Sequence, residues 1–180
     1  MSVGINHFDA GFDVGRFLVS AGYRNIGYMG MSHDTANAAT TRLAGFFKAV
    51  ERGGGTVTKQ HCLHDTAACY PGFYGTEQLL TSAPALDCIF YQNDAMAFGG
   101  MQYCAAKGLQ VPLDIGIAGW GDLPVASVLP RRLTSMHVPH LKLGQAAAEM
   151  MMSRLSGEPV QSVRDIGFKL IPGRTVRTPI

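Results

Sequence analysis

Arg42, at a predicted helix start, and Asn93 and the triplet Trp120-Gly121-Asp122, where apolar runs end, carry groups able to hold a small polar molecule. A guanidinium presents a planar fork of donors that meets a carboxylate or a pair of hydroxyls bidentately. A carboxamide offers a donor and an acceptor together. An indole supplies a flat apolar wall with one N–H. Asn6-His7 and His33-Asp34 add polar groups of the same kind, again where an apolar run has just ended. Each has a plainer role open to it. Asn93 and Asp94 are helix-capping types, and Arg42 could be a solvated surface arginine. Gly121 could serve only a tight turn, and Asp122 could hold that turn. Trp120, the only tryptophan, could be core or could wall a cleft. Asn6, His7, His33 and Asp34 could be solvated loop residues. His61, Cys62 and His64 match no standard zinc spacing, so neither metal nor cofactor is expected. The chain has no G-x-S-x-G elbow for a nucleophilic serine, so catalysis is not expected.

The elements that must position these groups follow from apolar runs and their stops. Cys88 to Tyr91 reads as a strand that breaks at Asn93-Asp94. A small-residue helix follows and stops at Gly108, and Ile115 to Ala118 reads as the next strand, breaking at Trp120-Gly121-Asp122. A strand–helix–strand crossover makes the strands parallel, so both polar ends emerge on one sheet edge, where open parallel sheets bind ligands. The same alternation runs through the chain. Helices are expected near 9–21, from 41, 72–80 and 139–155, and strands near 3–5, 26–29, 56–60, 133–138, 163–171 and 174–177. The segment from Asp122 to Arg132 reads as irregular.

Composition narrows the class. At 180 residues the chain is about one domain. It is 47% hydrophobic and only 16% charged, against the usual ~25%, which suits a sheet buried on both faces. Net charge is +2, and Arg131-Arg132 is the densest basic pair, which argues against nucleic-acid binding by this chain alone. Cys62, Cys69, Cys88 and Cys104 form no C-x-x-C pair, and no apolar run approaches a membrane span. Free thiols and a cytoplasmic location are expected.

The order of motifs resembles the LacI/GalR family of transcriptional regulators, in their periplasmic-binding-protein-like effector domain. Four stretches carry the resemblance: VGINHFDAGFDVGRFLVSAGYRNIGYMG; Arg42-Leu43-Ala44-Gly45-Phe46; Asn93-Asp94-Ala95-Met96-Ala97-Phe98-Gly99; and DIGIAGWGDLP followed by LTSMHVP. The resemblance begins late, with no helix-turn-helix headpiece ahead of Val3. It implies an α/β, parallel-sheet, three-layer fold with one lobe complete and one partial. Residues 1–31 with 137–158 would form the partial lobe one, and 32–136 with 159–180 lobe two.

Ligand would sit between the lobes, with Arg42, Asn93, Trp120, Gly121, Asp122, Asn6, His7, His33 and Asp34 as the implied contacts. Asp94 would mainly cap. The chain departs from the family at Gly121, where an acid that hydrogen-bonds a neutral sugar is usual. A buried carboxylate ~4 Å from a ligand carboxylate would cost about 4 kcal/mol at an effective dielectric near 20. Its absence, in a form resembling the gluconate-responsive branch, points to a sugar acid such as gluconate. The resemblance further implies a homodimer or larger homo-oligomer that meets operator DNA only through the missing headpiece. A periplasmic-type sugar-binding protein is the rival reading, and a sugar-processing enzyme the third.

Overall fold

The computed structural model describes residues 1–31, 38–63 and 69–179. In chain order the elements are β1 (Ser2–Gly4), α1 (His7–Ser20), β2 (Asn25–Met31), α2 (Ala38–Arg52), β3 (Thr56–Leu63), α3 (Cys69–Ser82) and β4 (Cys88–Tyr91). They continue with α4 (Asp94–Ala106), β5 (Gly116–Gly121), α5 (Pro124–Val128), β6 (Thr134–His137), α6 (His140–Leu155), β7 (Val163–Asp165) and β8 (Lys169–Ile171). Six strands form one sheet in the order β3-β2-β4-β5-β6-β8. The neighbours from β3 to β6 are parallel, and β8 runs antiparallel to β6.

The period-two alternation of strands divides the core into two layers. Tyr28, Phe90, Trp120 and Met136 face one side, where they meet Ala10, Val14 and Leu18 of α1 and Phe46 and Val50 of α2. Met29, Ile89, Tyr91 and Ile117 face the other, against Leu79 of α3 and Met96, Ala97 and Cys104 of α4. The expected α/β three-layer architecture is therefore present. Among the described residues Cys88 and Cys104 are buried free thiols and Cys69 an exposed one.

Each helix pair packs through backbone. A Cβ on Gly11 would collide with the Arg42 carbonyl oxygen, and one on Gly45 with that of Phe8. On the opposite face Gly72 and Gly99 stand in the same reciprocal relation to Met96 and Cys69. These four positions need glycine because main chain fills the space a side chain would take.

Two expectations are corrected. Residues 1–31 do not belong together. β2 lies inside the six-stranded sheet between β3 and β4, and α1 covers that sheet. Only β1 leaves it, pairing in parallel with β7 as a separate two-stranded sheet (Val3 opposite Arg164). The changeover falls near residue 6, not 31, and 163–165 goes with β1 while 169–171 joins the large sheet. Second, 174–177 is not a strand. Thr175 instead plugs the gap where β5 and β6 have not yet paired: its carbonyl accepts from Ile117 N–H at 2.8 Å, and its hydroxyl donates to Ile117 O at 2.7 Å. The hydroxyl also accepts from Thr134 N–H at 2.9 Å. The segment read as irregular contains the short α5. Among the described residues no helix is long and apolar enough to cross a membrane.

Strand order also locates a binding edge. The connection after β2 runs outward to β3, while that after β4 runs the other way to β5. The two connections diverge, opening a crevice at the carboxyl ends of β2 and β4. Gln92 spans that point, its Oε1 accepting from Met31 N–H at 2.5 Å.

Candidate functional site

Three of the expected side chains converge beside that crevice. Trp120 stands one residue before the end of β5, on the face covered by α1 and α2. His7 opens α1, and Arg42 lies in the second turn of α2. The Arg42 guanidinium carbon sits 4.0 Å above the indole centroid. The His7 ring lies 6.2 Å from the same centroid, 27° from parallel. Arg42 is only 6% exposed and Trp120 8%, so the surface-arginine reading is corrected and the indole is core and wall together. The helix period explains the burial: Arg42, Gly45, Phe46, Ala49 and Val50 form one buried stripe on α2.

Two polar atoms in this cluster lack partners. Arg42 Nε and His7 Nδ1 are both buried, and neither has a hydrogen bond among the described residues. Burial, opposed by the nearby Tyr28, lowers the Arg42 pKa below the ordinary arginine value. Burial first, then the Arg42 charge, holds the His7 imidazole below its usual value. A buried unpaired donor on a cation is costly, and an anionic acceptor at this place would satisfy it.

The polar ends of β4 and β5 divide the labour. Asn93 caps α4, its Oδ1 accepting from Met96 N–H at 2.9 Å, which leaves its Nδ2 without a partner among the described residues. Asp94 is fully buried. It accepts from Leu123 N–H and from the Ser135 hydroxyl, each at 2.7 Å. Ser135 Oγ in turn accepts from Asp122 N–H at 3.0 Å. Burial pushes the Asp94 carboxyl above its ordinary range despite these bonds. A carboxyl whose folded pKa is raised weakens folding above that pKa, and the penalty is relieved as pH falls through it. Replacing Asp94 by Ala strands two donors, and we expect a loss of about 1–3 kcal/mol in urea unfolding. An unchanged midpoint would show that α4, β5 and β6 do not depend on this bolt.

Asp122 is committed to structure. It adopts φ +49°, its Oδ2 lies 3.0 Å from His137 Nδ1, and its Oδ1 lies 3.6 Å from an Arg132 nitrogen. Gly121 has φ +121°, a conformation costly for any residue with a Cβ. A Cβ there would stand 3.9 Å from Asp94 Oδ2, so an added acid would also approach a buried carboxylate. The missing acid thus has a local backbone cause. Asn6 caps α1: its Oδ1 accepts from Asp9 N–H at 3.1 Å and its Nδ2 donates to Asp9 Oδ2 at 2.5 Å. Its side chain is thereby engaged as the cap of α1, on a residue that is itself exposed. His33 and Asp34 lie outside the described residues, as does His64. Sequence reasoning missed Ser135, His137 and Gln92. The first two were accessible in principle, being two apart on a strand that pairs with β5, with Gly121 opposite His137.

A family model described as a periplasmic binding protein-like domain matches residues 16–176. The HTH-type transcriptional regulator GntR of Escherichia coli (strain K12) is 29% identical over 98% of this chain and 53% of its own length. The HTH-type transcriptional repressor PurR of Proteus mirabilis is 31% identical over 95% of this chain and 50% of its own. The chain spans about half the length of these curated relatives. Among solved structures, the transcription regulator GntR from Chromobacterium violaceum superposes with a TM-score of 0.90 at 28% identity, covering 96% of this chain and 64% of that one. A LacI-family transcriptional regulator from Silicibacter pomeroyi gives 0.89 at 31% identity, covering 96% and 53%.

Proposed function

Because the chain belongs to the periplasmic binding protein-like domain family, we propose that it is the effector-binding part of a LacI/GalR-type transcriptional repressor whose effector is a sugar acid of the gluconate kind. One observation carries the ligand class: a guanidinium only 6% exposed, lying on an indole, with its Nε unpartnered among the described residues. A carboxylate satisfies that group by charge and by geometry, while a neutral sugar offers only hydroxyls. Asn93 Nδ2 is placed to donate to a hydroxyl, and Trp120 supplies the apolar wall that pyranose-like or extended polyol chains pack on. The regulators GntR and PurR among the relatives support the repressor reading.

In this reading the full-length protein is a cytoplasmic homodimer or larger homo-oligomer that reads operator DNA through a headpiece outside this chain. The effector works by binding one arrangement of the lobes more tightly than the other. It can shift DNA affinity only by that difference.

The test is thermal unfolding of the full-length protein. D-Gluconate should raise Tm by more than D-glucose does at equal concentration. A glucose shift as large as the gluconate shift would remove the carboxylate argument.

A further inference from the structure

We propose that His7 shares the ligand's anionic group with Arg42, and that it makes anion binding at the Arg42–Trp120 stack proton-linked. The inference rests on the reading of this crevice as an anion site and adds a residue and a regulation to it. Its basis is geometric. Two buried nitrogens at one aromatic ring, Arg42 Nε and His7 Nδ1, lack partners among the described residues. One acceptor group lying against that ring can serve both, provided His7 carries a proton on Nδ1.

The electrostatics turn the pair into a device. Without ligand, three features disfavour the imidazolium: its burial, the Arg42 charge, and the positive end of α1, at whose first residue His7 stands. Among the described charged side chains, Arg42 of α2 acts on His7 through its charge, and Arg164 and Asp165 of β7 line the same pocket as His7. Trp120 of β5 brings no charge, and on its own helix Asp9 is engaged with Asn6. A carboxylate arriving at Arg42 neutralises that charge and adds a negative one. The His7 pKa then rises, and the imidazole takes one proton from solvent and donates Nδ1–H to the carboxylate. No covalent bond changes. Linkage fixes the sign: a group whose pKa is higher in the complex binds ligand more tightly as pH falls through the window between its free and bound values.

D-Gluconate titrations of the full-length protein by calorimetry, from pH 8 to pH 5.5, test this. Binding should tighten by about tenfold toward low pH, the slope of one proton over roughly one unit. Proton uptake should appear when buffers of different ionisation enthalpy are compared. His7→Gln should bind gluconate with a flat pH profile. Ligand-free Arg42→Met should show the His7 ring titrating at higher pH by NMR. Gluconate binding that is independent of pH in the wild type, or a slope that survives His7→Gln, overturns the role of His7 and leaves the anion site standing. No gluconate binding at any pH overturns both.

Discussion

Arg42→Met is expected to make the ligand-free protein more stable while abolishing its response to gluconate. In the free protein the guanidinium is withdrawn from water and its Nε–H has no acceptor among the described residues. Its stacking on Trp120 returns about 0.5–2 kcal/mol. Desolvating an ion costs several kcal/mol, so the balance is against the charge. Methionine keeps an unbranched apolar stem in the same slot and fills irregular space well. A gain of about 1–3 kcal/mol is therefore expected in urea unfolding, the usual sign for removing a strained binding group. The ligand loses its charge partner, at about 2–5 kcal/mol, or roughly thirty- to several-thousand-fold in affinity. Lower stability together with a preserved gluconate shift would mean that Arg42 holds α2 in place and binds nothing.

Gly11→Ala should be the most damaging single-methyl change in the α1–α2 layer. The added Cβ collides with the carbonyl oxygen of Arg42, a main-chain atom within a helix that cannot swing aside. Overpacking of a tight core costs about 1–3 kcal/mol, and more where backbone must move; we expect about 3 kcal/mol or above by urea unfolding. Because the displaced residue is Arg42 itself, gluconate affinity should fall with stability. Gly144 provides the contrast. It lies in α6 with open space around it, so Gly144→Ala should stabilise by about 0.5–1 kcal/mol through helix propensity alone. Equal effects at the two positions would refute the close-contact account.

The β4–α4–β5 unit was legible because its apolar runs end in residues that stop them: Asn93 begins a helix, and Gly108 ends one. The burial of Arg42 was not read, although the signal existed. Leu43, Phe46, Phe47 and Val50, the bulky apolar residues of this helix, stand near i, i+3, i+4, i+7 and so suggest a face of their own. The buried face is Arg42, Gly45, Phe46, Ala49 and Val50, and Leu43 and Phe47 are only partly covered. Gly45 and Ala49 are small because the neighbouring helix comes close there, and small residues do not register as core in a search for bulk. The boundary misplaced at 31 has another cause. A buried parallel strand looks the same locally whichever sheet it enters, so the apolar run at 26–29 does not tell that β2 lies between β3 and β4. The bolt through Asp94 and Ser135 joins residues 41 apart, a pairing fixed only when β5 and β6 lie side by side.

The reciprocal glycine contacts set the helix spacing by main chain rather than by side-chain bulk. Where two helices touch through carbonyl oxygens and glycine Cα atoms, their separation is set by groups that every amino acid possesses. Leu18 or Val50 can be exchanged for another apolar residue without altering how far α1 stands from α2, so long as Gly11 and Gly45 stay. The same holds for α3 and α4 at Gly72 and Gly99. These four glycines, with Gly15 against the Phe46 carbonyl, hold the spacing of both helix pairs through main chain. Superposition at a TM-score of 0.90 with only 28% of residues shared is the result such a frame permits.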